Sequence, residues 1–373
     1  MLYLNNAATS YPKPQSVIES INKSLQDIPV GQNRSNWKSS NIIELCKKNI
    51  SKIINNDNSG NIYFTSGATE ASNMVISGLD LYKTKPLVSK NEHNCIIRPL
   101  YNYYDEIDIE YINSDSLGLV NIEMLESQIK INTKAIFINH CSNVTGIIQD
   151  IVKIGKIAKK HNLIYVVDAS QSCGCIDIDV NRANIDILIF TAHKSLFGIS
   201  GLGGFYIRNN VNLKKVKFGG TSTNSHMIKV DKYNREFEVG TQNIVGITAL
   251  NSGCEYILKE GIVKIQSYEN NLIKYLYEKL KSLRNIIIYT DEKYNQGPLL
   301  SFNINTLDPT DVAYILENSF EIVIRSGLLC APIIHKSLTN AKKGSVRVSL
   351  SYFNTYEEVD EFYNAIKQIC ESI

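Results

Sequence analysis

The 373-residue sequence lacks the features that define several common protein classes. It has no apolar run long enough to span a membrane, and the N-terminal stretch MLYLNNAATSYPKP has no basic segment followed by an apolar core, as a secretion signal would. The formal net charge is only +2, and no lysine-rich stripe or basic tail stands out. These absences favour a cytoplasmic globular protein that binds neither membranes nor nucleic acid.

The eight cysteines are not spaced as a metal site or a disulfide framework. Cys173 and Cys175 are separated by one residue, and no second Cys or His pair follows at zinc spacing. We therefore expect free thiols and no metal. The glycine-rich stretches also miss the standard nucleotide motifs, because AHKS lacks the preceding glycine of a P-loop and GISGLGG lacks the G-x-G-x-x-G spacing.

Short apolar runs alternate with helical patterns from about residue 60 to residue 210. In segments such as EASNMVISGLDLYK and DIVKIGKIAKKHN, apolar residues are three and four positions apart, as in amphipathic helices. The strand candidates are NIYFTS, KPLVSK, DIEYIN, KAIFINH, LIYVVDAS, DILIFTA and GGFYIR. This alternation predicts an α/β fold with a large, mostly parallel sheet and helices on both faces.

After about residue 250 the pattern changes. A long helical stretch, ITALNSGCEYILKEGIVKIQSYENNLIKYLYEKLKSL, precedes the strand candidates NIIIYT, LLSFNIN, EIVIRSG and GSVRVSLS, and TYEEVDEFYNAIKQICESI predicts a terminal helix. These elements predict a smaller α+β domain. We therefore divide the chain into a large domain, residues 16–250, and a small C-terminal domain, residues 251–373, which also includes residues 1–15.

Polar residues follow several of the predicted strands, where sites in parallel sheets usually lie. Asp168 ends the run LIYVVD, so its carboxylate either caps a helix or points into the crevice above the sheet. Lys194 follows the next strand and precedes a glycine-rich loop, which is an unusual place for a solvated charge. Burial lowers the pKa of a lysine and makes its amine a nucleophile.

A third strand is followed by Ser66, Gly67, Ala68 and Thr69 at the start of a predicted helix. Helix capping accounts for these residues, but free N–H groups at a helix N-terminus also bind phosphate. A phosphate site, a carboxylate and a lysine amine on successive strand ends are together what pyridoxal phosphate requires.

Cys330 lies in the stretch RSGLLCAPIIH, which is too interrupted by glycine and proline to form a long regular element. A loop position favours a functional role for this thiol over a packing role. Its reactive form is the thiolate, and we expect a nearby cation such as Arg325 to favour that form.

The chain resembles the class V aminotransferase-like pyridoxal phosphate enzymes of fold type I, specifically the cysteine desulfurases related to selenocysteine lyases. The resemblance runs nearly end to end, through YLNNAATSYPKP, TSGATEASN, NEHNCIIRP, CSNVTG, VDASQS, TAHKSLFG, FEVGTQN, RSGLLCAP and GSVRVSLSYFNT. The R-S-G-x-x-C form is similar to the branch whose cysteine lies on a short, ordered loop. The resemblance implies conversion of L-cysteine to L-alanine, with the sulfur passed to Cys330 as a persulfide for onward delivery.

The resemblance also implies cofactor-binding roles. Lys194 would hold pyridoxal 5′-phosphate as a Schiff base and move the substrate α-proton, Asp168 would pair with the ring nitrogen, and Gln171 would bond the phenolic oxygen. His93 would stack on the ring and relay protons, although a lone histidine without this motif is more often structural. The implied phosphate ligands are Ala68, Thr69, Thr191 and His193, with Thr241 contributed by the second subunit of a homodimer.

The implied substrate site contains Arg347 and Asn143 as ligands of the substrate carboxylate. An arginine suits this role because its guanidinium can bind both carboxylate oxygens, although an ordinary strand arginine would fit the local pattern equally. Ala7, Ala8 and Arg325 complete the implied substrate-binding set.

Three positions depart from the family pattern. Asn5 stands where aspartate is common, Gln242 where proline is usual, and Leu329 where a histidine often precedes the cysteine.

The resemblance leaves alternatives open. A selenocysteine lyase would depend less strictly on Cys330, an aminotransferase would make no use of it, and a non-catalytic sulfur carrier or binding module would not need Lys194. The expected partners are L-cysteine or L-selenocysteine and a protein that accepts the sulfur.

Overall fold

A computed structural model describes residues 1–26, 37–104, 107–219 and 237–372. The chain begins with a short strand and two helices that precede the first strand of the large sheet. These elements are β1 (Leu2–Tyr3), α1 (Gln15–Gln26) and α2 (Trp37–Ile53).

The seven strands predicted between residues 60 and 210 form one sheet, which confirms the predicted α/β class. They are β2 (Gly60–Thr65), β3 (Leu87–Val88), β4 (Glu110–Tyr111), β5 (Ala135–Asn139), β6 (Ile164–Asp168), β7 (Ile187–Thr191) and β8 (Gly203–Arg208). Their spatial order is β2-β8-β7-β6-β5-β3-β4. Strand β8 is antiparallel to both of its neighbours, whereas the other adjacent pairs are parallel. The carboxyl ends of β2, β5, β6 and β7 therefore meet at one edge of the sheet.

Helices cover both faces of this sheet, and its central strands are buried on both sides. In β6, Tyr165 and Val167 pack in the cluster that contains residues of α2, whereas Val166 packs in the opposite cluster. Strands buried on both faces read as continuous apolar runs, which explains why the strand pattern was strong in the sequence. The connecting helices are α3 (Ala68–Gly78), α4 (Asn94–Tyr103), α5 (Ile122–Gln128) and α6 (Ile151–Lys160).

The long helical stretch predicted after residue 246 is divided into two helices, α7 (Ile244–Glu260) and α8 (Ile262–Lys281). Gly261 separates them with a φ of 87°, in the left-handed region that glycine adopts without steric cost. The predicted domain boundary at residue 250 falls inside α7, and the division into two domains stays a prediction.

The C-terminal strand candidates form a second, antiparallel sheet of order β12-β13-β10-β9. The elements of this region are β9 (Ile286–Ile288), β10 (Leu299–Ile304), α9 (Pro309–Phe320), β11 (Ile322–Val323), β12 (Arg325–Gly327), α10 (Pro332–His335), β13 (Ser345–Ser349) and α11 (Tyr356–Glu371). Strand β1 pairs in parallel with β11, and Leu2 and Leu4 enter the apolar cluster of this region. The N-terminus is thus packed with the C-terminal sheet.

Helix α8 is amphipathic over its 20 residues. It buries Ile265, Leu272 and Leu276, while charged residues such as Lys264 remain on its exposed side. Within the described ranges, no helix has both the length and the apolarity needed to cross a membrane.

Helix α8 also buries a carboxyl group, since Glu269 is only 3% exposed. The backbone N–H of Tyr352 donates to it, and its Oε2 has no hydrogen-bond partner among the described residues. Burial raises the pKa of Glu269 to about 8, against an ordinary value of 4.5. The folded protein therefore retains a proton that the unfolded chain releases between these two values, so this group lowers stability as the pH rises through that window.

We expect Glu269→Gln to remove this pH dependence. The gain in unfolding free energy over the wild type should be small near pH 5 and should grow toward about pH 8, by up to roughly 4 kcal/mol. Urea unfolding at the two pH values measures this difference. Glu361→Gln, on the exposed side of α11, is the matched control. An equal gain at both pH values would show that Glu269 is ionised in the folded protein.

Candidate active site

The segments that follow β2, β6 and β7 meet the N-terminal segment and the turn after β12 around a cavity of about 370 Å³. This cavity brings together residues that are far apart in the sequence. It is lined by the predicted residues Ala7, Ala8, Ala68, Thr69, His93, Asn143, Asp168, Gln171, Thr191, His193, Lys194, Arg325, Cys330 and Arg347. Thr241 is exposed and lies outside this lining, so its role across a subunit interface stays a prediction.

Two charged groups of opposite sign come from the ends of adjacent parallel strands. Asp168 is the last residue of β6, is 3% exposed, and accepts a hydrogen bond of 2.9 Å from the N–H of Ser170. Lys194 lies in the turn after β7. Burial lowers the pKa of Lys194, the carboxylate of Asp168 opposes this effect, and the charge of Arg347 adds to it. A larger fraction of the Lys194 amine is therefore neutral, and nucleophilic, than for a solvated lysine.

His93 lies at the start of α4 as its N-cap residue. Its Nδ1 accepts a hydrogen bond of 3.0 Å from the N–H of Cys95. Burial and the neighbouring charge of Lys194 lower the pKa of His93 to about 4. The ring is therefore neutral near pH 7, and because Nδ1 is an acceptor, the proton is on Nε2. A neutral ring held at a helix end is suited to lie flat against a planar ligand.

The part of the cavity lined by the start of α3 is suited to an anion. Helix α3 begins at Ala68, directly after β2, and its N-cap Gly67 makes no side-chain capping bond. The first N–H groups of a helix have no intrahelical acceptor and attract negative charge. His193 also lines this cavity, and its Nδ1 is buried without a hydrogen-bond partner among the described residues. A bound phosphate would satisfy these donors.

The N-terminal segment connects the lysine turn to the C-terminal sheet. The N–H of Ser10 donates to the carbonyl of His193 at 2.9 Å, and its Oγ donates to the carbonyl of Lys194 at 2.8 Å. Gln171 Nε2 donates to the carbonyl of Ala7 at 3.0 Å, and the N–H of Ala7 donates to Ser349 Oγ at 2.9 Å. The segment therefore fixes the lysine turn and Gln171 relative to β13.

Two arginines face the cavity from the C-terminal sheet. Arg325 of β12 and Arg347 of β13 are directly opposite in the antiparallel register. Arg347 is 2% exposed, and burial, with the charge of Arg325, lowers its pKa to about 9. Its Nη2 donates to Asn5 Oδ1 at 3.2 Å, and within the described ranges it has no carboxylate partner. Like charges on opposite strands are unfavourable unless an anion joins them, so the pair is suited to a carboxylate ligand.

Cys330 lies in the turn between β12 and α10, as its sequence context predicted, and is partly exposed. Arg325 Nη2 lies 3.7 Å from its Sγ. Leu329 and Cys330 have φ values of 49° and 58°, which are uncommon for residues with side chains. The Leu329 side chain is buried in an apolar cluster with Val144, Tyr289 and Ile334, so the residue at this departure from the family pattern anchors the turn.

Sequence reasoning missed two polar residues next to Asp168. Glu92 is 1% exposed, and its Oε1 accepts a hydrogen bond of 2.9 Å from Ser89 Oγ. Burial and the charge of Asp168 raise the pKa of Glu92 well above its ordinary value, which favours the protonated form of this group. Asn139 pairs with Asp168 across β5 and β6 and lines the cavity. The available signals were the acid directly before His93 and the polar end of the strand KAIFIN.

Comparisons with known proteins agree with this geometry. Residues 2–362 match the family Aminotransferase class-V. A protein of Pyrococcus abyssi named "Probable cysteine desulfurase" is 32% identical, with 100% of this chain and 95% of that protein covered. A protein of the same name from Methanothermobacter thermautotrophicus is 30% identical, with 99% and 94% covered.

A solved structure has the same fold. The apo structure of a cysteine desulfurase from Thermococcus onnurineus matches with a TM-score of 0.91 and 29% identity, over 100% of this chain and 95% of that one. Both the family match and the relatives span nearly the whole chain, and so does the structural match. The chain is therefore an enzyme of the class-V aminotransferase family, in the branch that contains the cysteine desulfurases.

Proposed function

We propose that this enzyme is a pyridoxal phosphate-dependent cysteine desulfurase that converts L-cysteine to L-alanine and retains the sulfur on Cys330 as a persulfide. The observation that carries this proposal is a partly exposed cysteine in the same cavity as the amine of Lys194 and the buried cation of Arg347. An aminotransferase needs the lysine and the arginine but has no use for a thiol at this position.

The donor set of the cavity fits pyridoxal 5′-phosphate. Asp168 would pair with the ring nitrogen, Gln171 would bond the phenolic oxygen, and His93 would stack on the ring. Ala68, Thr69, Thr191 and His193 would hold the phosphate, and Thr241 of a second subunit would add to them in a homodimer. When bound, the cofactor supplies an aldehyde for the substrate amine and a ring that withdraws electrons from the substrate α-carbon.

The side chains of this chain perform the remaining steps. Arg347 binds the substrate carboxylate, which orients the substrate sulfur toward Cys330. The neutral amine of Lys194 removes the proton from the substrate α-carbon. His93, with its proton on Nε2, lines the same cavity and would serve as a proton relay.

Sulfur transfer then uses Cys330. The Cys330 thiolate attacks the substrate sulfur, a sulfur–sulfur bond forms, and the substrate Cβ–S bond breaks. The substrate sulfur is oxidised to the sulfane level, and Cβ is reduced from a methylene to the methyl group of alanine as it takes up a proton. The net reaction is that the enzyme thiol and L-cysteine give the enzyme persulfide and L-alanine. The sulfur then passes to a thiol-bearing protein acceptor.

The decisive experiment is to load the protein with pyridoxal phosphate, add L-cysteine, and measure alanine and protein-bound persulfide together. We expect both products in the wild type and the loss of both, by at least about a hundredfold, in Cys330→Ser, because a hydroxyl group cannot accept sulfur. The visible absorption of the bound cofactor should be unchanged. Cys370→Ser is the matched control, because Cys370 is also partly exposed but lies on α11.

Continued alanine release by Cys330→Ser would contradict a thiol-dependent mechanism. Selenocysteine is the informative second substrate, since selenide is a better leaving group than sulfide. Release of alanine from selenocysteine but not from cysteine would identify a selenocysteine lyase instead.

A second prediction concerns Arg347. We expect Arg347→Lys to raise the KM for L-cysteine by about 10- to 100-fold with a smaller change in kcat, because lysine keeps the charge but loses the two-point contact with the carboxylate. Steady-state kinetics of alanine release measure both parameters. Arg284→Lys, at an exposed position, is the control. An unchanged KM would place the carboxylate elsewhere in the cavity.

A further inference from the structure

Asn143 contacts both the arginine and the turn that carries the catalytic thiol. Its backbone carbonyl accepts a hydrogen bond of 3.0 Å from Arg347 Nη1, and its Nδ2 donates to the carbonyl of Leu329 at 2.7 Å. Asn143 is 5% exposed. These two bonds connect the carboxylate site with the residue that directly precedes Cys330.

The turn at Leu329 and Cys330 needs such contacts. Two consecutive residues with side chains are in the left-handed region, which is unfavourable for each of them and persists only where surrounding contacts hold the backbone. The described residues make three hydrogen bonds to the carbonyls of this turn. The N–H of Ala331 donates to Leu328 at 2.9 Å, the N–H of Asn94 donates to Cys330 at 2.8 Å, and Asn143 donates to Leu329. Of these three donors, Asn143 alone is a side chain.

The chemistry of the amide limits what else Asn143 can do. One of its two Nδ2 hydrogens is committed to Leu329, so a single hydrogen is left for a substrate carboxylate. Its Oδ1 is an acceptor and cannot bind a carboxylate, and it has no hydrogen-bond partner within the described ranges. Carboxylate binding therefore accounts for only part of this buried side chain.

We propose that Asn143 is a positioning residue that holds the Cys330 turn in the geometry for sulfur attack and connects it to Arg347. Asn143 then contacts both the residue that binds the substrate carboxylate, Arg347, and the turn that positions the Cys330 thiol. Val144 adds to this connection, because its side chain packs in the apolar cluster that contains Leu329. The inference rests on the proposed function of Cys330, but the bond between Asn143 and the turn exists without substrate.

The test is hydrogen–deuterium exchange of the substrate-free holoenzyme, followed by mass spectrometry. We expect Asn143→Asp and Asn143→Ala to accelerate exchange at Ala331 and Asn94 about tenfold, since both variants lose the donor to the turn. Protein-bound persulfide should form at least about tenfold more slowly from L-cysteine in both variants. Asn102→Asp is the matched control, because Asn102 is exposed on α4 and its amide donates to Arg98.

Asn143→Asp adds a charge and Asn143→Ala does not, so the same effect in both variants would be due to the lost hydrogen-bond donor. Unchanged exchange in the rest of the chain would show that both variants fold. Unchanged exchange at Ala331 and Asn94, together with slower persulfide formation, would overturn the proposal, because Asn143 would then act on the substrate only. The two proposals can also fail separately. If the wild type forms no persulfide but the Asn143 variants still exchange faster at Ala331 and Asn94, the positioning role is supported and the proposed function is contradicted.

Discussion

The candidate site depends on two neighbouring arginines that have no carboxylate partner among the described residues. Arg347 is buried, Arg325 is opposite it in the sheet, and Lys194 lines the same cavity. Among the described residues, the carboxylate of Asp168 opposes the lowering of the Lys194 pKa by burial, whereas burial and the charge of Asp168 raise the pKa of the neighbouring Glu92 and favour its protonated form. A cavity of this kind is stabilised when an anionic substrate and a phosphate enter it. Burial is the main cause of the lowered pKa of Lys194, and the charges of Arg347 and Arg325 add to it, so a larger fraction of the amine is neutral than for a solvated lysine.

This arrangement requires that the two sheets be held in a fixed position relative to each other. The large sheet supplies Asp168 and Lys194, and the C-terminal sheet supplies both arginines. The N-terminal segment connects them, because it pairs with β11 at one end and bonds the carbonyl groups of the lysine turn at the other. Asn5 belongs to this segment and bonds Arg347 as a neutral acceptor. A carboxylate at this position would partly neutralise Arg347, so the asparagine leaves more of its charge for the carboxylate ligand proposed above.

Much of the fold could be predicted from the sequence, because strands that are buried on both faces appear as apolar runs. All seven strand candidates of the large sheet were correct, and this reason applies to β3, β5, β6, β7 and β8, whereas β2 and β4 are only partly buried. Lys194, Asp168 and the turn before α3 were also recognisable, since each lies at or just after the end of one of these strands. Helix α4 was harder to recognise, because Pro99 lies inside it and proline normally ends a helix. Its role as the element that positions His93 therefore came from the structure.

The contacts that shape the cysteine turn could not be predicted, because they join distant parts of the chain. Asn143 and Leu329 are 186 residues apart in the sequence, and neither residue type indicates the bond between them. The left-handed backbone of the turn could not be predicted from the sequence either, because leucine and cysteine have no preference for that region. Such a conformation is informative in itself, since strain persists where surrounding contacts maintain it. The Cys330 thiol is therefore presented by a turn whose shape is maintained by Asn143 and Asn94, which are distant from it in the sequence. Under the proposed function, these contacts determine where the sulfur is transferred.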